Sequence, residues 1–263
     1  MRDQAVFGTA KRWVSMLTVI GCLALWFLLT PRPVPELVFP SPGSVLRAIR
    51  VLGSGLAEHA LVTLARVLAG WCAGVVLGIR TGLWMTRSRF FYAVANPLIE
   101  ALRPVPPVAL IPFFIVWFGL GSTGQILLIG LGCFMVMAVN TFNAVHHVPP
   151  IYVRAAASLG APTSAIYRSV IWPAILPALV SGFRIAAALA FALGVAAEFM
   201  GAQSGIGYLI MVNRRQLNTD TILLGIIIIG LESYGVDWLI RAAARYACRW
   251  SETPVTALQG FGN

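Results

Sequence analysis

Four charged side chains stand inside strongly apolar runs of this sequence: Arg66, Arg184, Glu198 and Glu232. Charge in such surroundings is costly, so it pairs with opposite charge or lines water. Two guanidiniums and two carboxylates could hold a passing ion or relay protons, or they could simply pin helices together. Depth counted along the runs pairs Arg184 with Glu232 near the middle and Arg66 with Glu198 nearer one end. Pinning is the plainer role and ranks ahead of contact with a solute.

Other chemistry is thin. A P-loop needs Gly-Lys-Ser/Thr to hold phosphates and magnesium, and the one lysine, Lys11, lies between Ala10 and Arg12. Any ATP hydrolysis must come from a partner, so no cofactor is expected on this chain. Gly119-Leu120-Gly121-Ser122-Thr123-Gly124 matches a dinucleotide fingerprint, but no acidic residue occurs between Glu100 and Glu198 and no strand precedes it. It reads as a tight turn between two apolar runs. His146-His147 lack the three or four donors of a metal site, and no metal is expected. Cys22, Cys72, Cys133 and Cys248 have no metal-site spacing and read as small hydrophobes. With no paired acids and no nucleophile beside a base, a membrane enzyme ranks last.

The elements that carry these residues follow from composition. Of the 263 residues, 59% are hydrophobic and 11% charged, with mean hydropathy +0.84. Soluble domains carry about 25% charged residues, so a single polytopic membrane domain, 1–263, is the class. A crossing needs about 20 apolar residues, which predicts spans near 13–30, 60–79, 105–119, 122–145, 175–198 and 221–241. The run from Trp13 ends in Thr30-Pro31-Arg32-Pro33 without a small-residue cleavage site, so it reads as an uncleaved first span.

The net charge of +10 reports topology, with no nucleic-acid partner. Arg2, Lys11, Arg12, Arg80, Arg87, Arg89, Arg103, Arg154, Arg168, Arg241, Arg245 and Arg249 collect at one set of helix ends. Arg32, Arg47, Arg50, Arg214 and Arg215 fall at the other. By the positive-inside rule both termini, 1–12 and 251–263, are cytoplasmic. Residues 31–58 are then external, with a turn at Phe39-Pro40-Ser41-Pro42-Gly43 and a short amphipathic helix, Val45 to Leu52, on the membrane surface. Arg241, Arg245 and Arg249 share a helix face with Trp238 and Trp250 nearby, which suits anchoring among lipid head groups.

Two stretches depart from plain helix. Gly70, Gly74, Gly78 and Gly82 form one stripe on the second span, a face for close packing. Leu102-Arg103-Pro104-Val105-Pro106-Pro107 cannot be continuous helix. Broken backbone at membrane depth is tolerated beside protein or a water-filled cavity, so Arg103, Pro104, Pro106 and Pro107, with Arg184 and Glu198, are candidates for lining a solute path. A kinked packing helix accounts for the segment equally well.

The most informative stretch is Arg154 to Pro177. It opens as a short Ala-rich helix, Arg154-Ala155-Ala156-Ala157-Ser158-Leu159-Gly160, followed by Ala161; Pro173 comes thirteen residues after Gly160, and Pro177 follows. This resembles the coupling loop of ABC-importer permeases, whose pattern is E-A-A, three residues, Gly, nine residues, then I-x-L-P. Arg154 stands where the pattern has Glu, and Trp172 where it has Leu. Further likeness to the taurine, aliphatic sulfonate and nitrate branch lies in Thr63-Leu64-Ala65-Arg66, in the segment Leu102 to Pro112 followed by Trp117-Phe118-Gly119-Leu120-Gly121, and in Ala197-Glu198 with Ser204-Gly205-Ile206-Gly207-Tyr208-Leu209.

The resemblance implies a type I all-α permease of about six spans in the bacterial inner membrane, acting as a homodimer. Its partners would be two cytoplasmic ATPase subunits, which carry ATP and Mg, and a periplasmic or lipoprotein substrate-binding protein. Residues 150–165 would be the coupling helix, with Pro173 setting the entry of the next span. Arg154 implies an acidic residue in the ATPase groove. The solute would be small and anionic or sulfonate-like. A different class, an ion-coupled transporter or channel without ATPase, would use Glu198 and Glu232 but leaves the Ala-rich helix unexplained.

Overall fold

The structure is a computed structural model that describes residue 14, residues 16–18, 20–28 and 40–250. The tails 1–12 and 251–263 and residues 31–39, the turn residue Phe39 among them, therefore lie outside the described residues; within the first expected span only residues 13, 15, 19, 29 and 30 do, and the rest is helical. The elements are α1 (Pro42–Leu52), α2 (Ser54–Arg87), α3 (Arg89–Leu102), a 3-10 turn (Pro107–Leu110) and α4 (Ile111–Phe118). They continue with α5 (Ser122–His146), α6 (Pro150–Ser158), α7 (Thr163–Gly201), α8 (Ile206–Arg215) and α9 (Thr219–Ala247). No strand occurs among the described residues.

Helices α2, α5, α7 and α9 are long and apolar enough to cross a membrane, and α3 with α4 makes up to a fifth span, bent by 87°. That bend falls at Arg103 to Pro106, where the prolines forbid helix. The expected span 105–119 left out α3, a helix that absorbs Pro97 in its interior and joins α4 in this bent element. Helix α7 likewise starts at Thr163, twelve residues before the expected 175. Pro173 does not end it. Instead the turn Tyr167–Ile171 widens into a π turn just ahead of Trp172-Pro173, a known way to absorb a missing donor and a ring clash.

The chain divides into two compact units, one formed by the residues up to Glu58 with Leu209–Ile227, the other by His59–Tyr208 with the residues from Ile228 on. In the smaller unit, Ser41 caps α1 by accepting from the Ser44 N–H at 3.2 Å, and Val45 and Ala48 are the buried face of that helix. In the larger unit the core lies between α2, α5 and α7, around Val67, Ile129, Cys133, Met137, Leu179 and Leu193.

The glycine stripe of α2 meets a matching stripe of α5. A methyl group built on Gly70 would lie 2.7 Å from Ile129 Cβ, on Gly78 2.6 Å from Met137 Cβ, and on Gly82 2.7 Å from Thr141 Cβ; on Gly74 it would overlap the Gly130 carbonyl. Lipid offers no hydrophobic drive between helices, so backbone approach of this kind supplies the packing energy. Gly194 of α7 approaches Val67 of α2 in the same way, where a methyl would sit 2.8 Å from Val67 Cγ2. Gly78→Val should therefore destabilise the folded chain by about 1–3 kcal/mol or more, read as a lower unfolding midpoint in detergent. Gly55→Ala, which meets nothing within 4 Å, should leave the midpoint unchanged.

Candidate functional site

Near the end of α2, Thr63 and Arg66 sit one turn apart on the face toward α7, and Glu198 lies close to the C-terminus of α7. Arg66 Nη1 is 3.0 Å from Glu198 Oε1, so the structure brings together the pair expected from depth. The carboxylate has more partners. The Thr63 hydroxyl lies 3.0 Å from both oxygens, and the Gly207 N–H donates to Oε2 at 2.8 Å. Thr63 Oγ1 in turn accepts from the Ile206 N–H at 2.7 Å. The guanidinium also donates to the Ser204 carbonyl at 2.7 Å, to Ser204 Oγ at 2.8 Å and to Ser122 Oγ at 2.9 Å. Glu198 is 2% exposed and Arg66 8%, so protein groups replace water almost entirely.

Local sequence dictates this arrangement. Gly205 has φ +111°, and a methyl there would overlap the Glu198 carboxyl; a methyl on Gly207 would lie 2.7 Å from Glu198 Cβ. Two glycines are thus required for the loop to close on the carboxylate. His59 Nδ1 accepts the Gly205 N–H at 3.1 Å, and its ring lies 5.9 Å from that of Tyr208. The sequence reading quoted Thr63, Ser204, Gly205 and Gly207 as motif residues without giving them this role. Ser122 and His59 carried no signal of it.

The second expected pair is corrected. Arg184 Nε lies 2.6 Å from Asp237 Oδ1, and Arg241 Nε 3.0 Å from Asp237 Oδ2, while Glu232 Oε2 is buried without a hydrogen-bond partner. Depth alone favoured Glu232. Asp237 lies five residues on, about 140° round the helix at 3.6 residues per turn, and it faces α7. Azimuth, which the sequence did not reveal, decided the pairing.

The other candidates are dispersed. Arg103 stands at the bend, its ion-pair partner being Glu100, at 3.9 Å and well exposed. Pro104, Pro106 and Pro107 shape the same bend. His146 and His147 turn Nδ1 to the carbonyls of Phe142 and Asn143 at 3.0 and 2.7 Å, closing the end of α5.

Arg154 to Gly160 form the second half of α6 and its exit. Gly160 has φ +80°; its N–H reaches the Ala157 carbonyl at 2.9 Å and the Ala161 N–H the Ala156 carbonyl at 3.1 Å. This is a Schellman stop. No residue of α6 is buried; Val153 and Ala156 rest on the core, while Ile151, Tyr152 and Leu159 stand out in solvent, Leu159 at 88% exposed. The Ala-rich pattern pointed to this helix but not to its apolar tips at Ile151 and Tyr152.

Long apolar helices, a broken span and a short exposed helix between two spans define a helical membrane protein. Residues 74–245 match the family described as binding-protein-dependent transport system inner membrane component, and the chain belongs to that family, the permeases of ABC importers. It is 32% identical to the taurine transport system permease protein TauC of Escherichia coli (strain K12), over 88% of each chain. It is also 32% identical to the putative aliphatic sulfonates transport permease protein SsuC of Bacillus subtilis (strain 168), over 90% of this chain and 84% of that one. Among solved structures, the inward-facing MetNI methionine ABC transporter superposes with TM-score 0.59 at 22% identity, covering 73% of this chain and 97% of that chain. The protein is thus a multi-pass inner-membrane transport component and not an enzyme.

Removing one member of a buried pair leaves the other charge uncompensated, at about 3–5 kcal/mol. Arg66→Met should lower the unfolding midpoint sharply, and Arg66→Met with Glu198→Gln should recover part of the loss. A double variant no better than the single one would show that the pair is not what holds this end together.

Proposed function

We propose that this permease moves a small sulfonate-like solute inward as a homodimer, driven by two separate cytoplasmic ATPase subunits that bind the ATP and Mg. A periplasmic or lipoprotein binding protein delivers the solute to the external face. Both termini and α6 lie in the cytoplasm, consistent with the clustering of basic residues at those helix ends. The taurine and sulfonate names of its relatives support the solute class.

The observation that carries the proposal is α6 itself. A nine-residue helix with no buried residue and an 88% exposed leucine at its end is poorly explained by its own fold, because exposed apolar tips of this sort mark a docking surface. It joins α5 to α7 through Pro149 and Gly160, so a push on it reaches two spans. Arg154, exposed on the same helix, suits an acidic residue in the ATPase groove. Helix α9 is the least buried of the long helices; Ile226, Leu231, Tyr234, Trp238 and Leu239 are exposed on it. A second permease copy and membrane lipid would cover that face. Driving and releasing the ATPase would rock the spans, with each state favoured by its own contacts.

The ion-coupled alternative finds its support in half-buried Glu232, whose Oε2 is buried without a hydrogen-bond partner. The two readings separate cleanly in vesicles. An ATP-driven importer keeps its flux when ion gradients are collapsed, and the purified chain brings a P-loop ATPase with it. Leu159→Asp should then cut ATPase association and transport about ten-fold or more, a change of about 1.4 kcal/mol at least. Gly160→Val should do the same through its positive φ. A stable dimer without ATPase, carrying ion-driven flux, would overturn the importer reading.

A further inference from the structure

Among the described residues, polar contacts tie α2 to α7 at three levels. At one end Thr63 and Arg66 of α2 hold Glu198 of α7. Further along, the Trp71 indole N–H donates to the Phe183 carbonyl at 3.2 Å. At the other end Thr86 Oγ1 lies 3.3 Å from the Tyr167 hydroxyl.

The direction of the last bond follows from its neighbour. The Thr86 hydroxyl lies 2.7 Å from the Leu83 carbonyl, which can only accept, so its single proton is spent there. The Tyr167 O–H is then the donor to Thr86 Oγ1. Beside it, the Arg87 guanidinium stands 5.9 Å from the centre of the Tyr167 ring, within reach of a cation–π contact. Consecutive residues at the end of α2 thus hold the hydroxyl and the face of one tyrosine.

The three ties differ in where they fall on α7. Phe183 and Glu198 lie beyond Pro177, in the part that runs to Gly201. Tyr167 is the first residue of the π turn and precedes both Pro173 and Pro177. From it the chain leads back through Gly160, with φ +80°, to the exposed α6. Helix α2, by contrast, is continuous from Ser54 to Arg87 and is packed backbone to backbone against α5 as far as Gly82. Thr86 is one turn past that glycine. The bond therefore spans the bend, with its donor on the irregular start of α7 and its acceptor on the stiff pair of helices. At 3.3 Å it is longer than the usual O–H···O distance of about 2.7–2.8 Å, so it can be exchanged for water at small cost.

We propose that Tyr167 is a positioning residue for transport. Its hydroxyl latches the start of α7 to the end of α2, holds α6 where it stands here, and lets go when the ATPase moves α6. The proposal rests on the importer reading above. Loss of the latch leaves α6 free to follow the ATPase, which shifts the population towards the moved state.

The test is the ATPase rate of the purified permease–ATPase complex in liposomes, without binding protein or solute. Tyr167→Phe keeps the ring over Arg87 and removes only the donor; it should raise this basal rate about five-fold, the worth of one neutral hydrogen bond. Thr86→Val removes the acceptor and should do the same. The double variant should rise no further, because one bond is lost in all three. Thr86→Ser, which keeps the acceptor, should hold the wild-type rate. A tyrosine with a merely structural role would instead lower the unfolding midpoint and the amount of ATPase bound, without a faster turnover. Basal rates unchanged or lowered in both single variants, or rises that multiply in the double variant, would overturn the latch. Failure of the importer reading shows separately, as a wild-type chain that brings no ATPase with it, and it would remove the latch as well.

Discussion

The fold of the larger unit depends on how one carboxylate is solvated. Glu198 is buried at the end of an apolar helix, where no water reaches it, so the protein must supply every interaction that water would have made. Thr63, Arg66 and the Gly207 N–H do so, and each comes from a segment that must then stay in place. Arg66 carries the constraint onward to Ser122 at the start of α5 and to Ser204 in the loop after α7. One buried charge thereby fixes α2, α5, α7 and the entry to α8 against one another at a single point. Burial of an ion pair contributes modest net stability, since desolvation offsets the attraction. What the network gives is a unique arrangement, because no sliding of these helices leaves all the donors satisfied.

Away from that point the helices are held by shape. The glycines of α2 bring its backbone against α5 over three helical turns, from Gly70 to Gly82. Close backbone contact resists shear, because a shift by one residue along either helix would set side chains against side chains. Polar pinning at one end and small-residue packing along the length are complementary. The first sets the register, and the second makes the pair of helices stiff.

Much of this was legible in the sequence, for identifiable reasons. Composition and the length of apolar runs define a helical membrane protein, and the proline cluster at Arg103 to Pro107 marks the 87° bend. The Gly-x-x-x spacing marks the packing face, and the Arg154 to Gly160 stretch marks the exposed helix. Arg66 and Glu198 could be matched because both lie near the same end of their runs. Arg184 could not be matched correctly, because Glu232 and Asp237 share an approximate depth and differ in azimuth. The loop that closes on Glu198 was visible only as a motif: backbone donors such as the Gly207 N–H leave no mark in side-chain chemistry. Helix α7 was read short, since proline signals a break and the sequence does not show that a π turn absorbs it.

These features fix where the protein can bend. Helix α7 spans 39 residues, about 58 Å at 1.5 Å per residue, and it runs from the exposed α6 to the Glu198 network. Its irregular places, the Tyr167–Ile171 π turn and the interior Pro177, lie toward the α6 end, and the Gly160 stop comes just before it. Beyond Pro177 the helix runs to Gly201 without a further proline and is gripped by α2 and α5. In the proposed importer a force on α6 therefore does not dissipate along α7. Bending is confined to the joint beside the coupling helix, and the remainder moves as one body with the outer network. That arrangement is what alternating access needs, since a lever that flexed throughout would move its near end and leave the far end at rest.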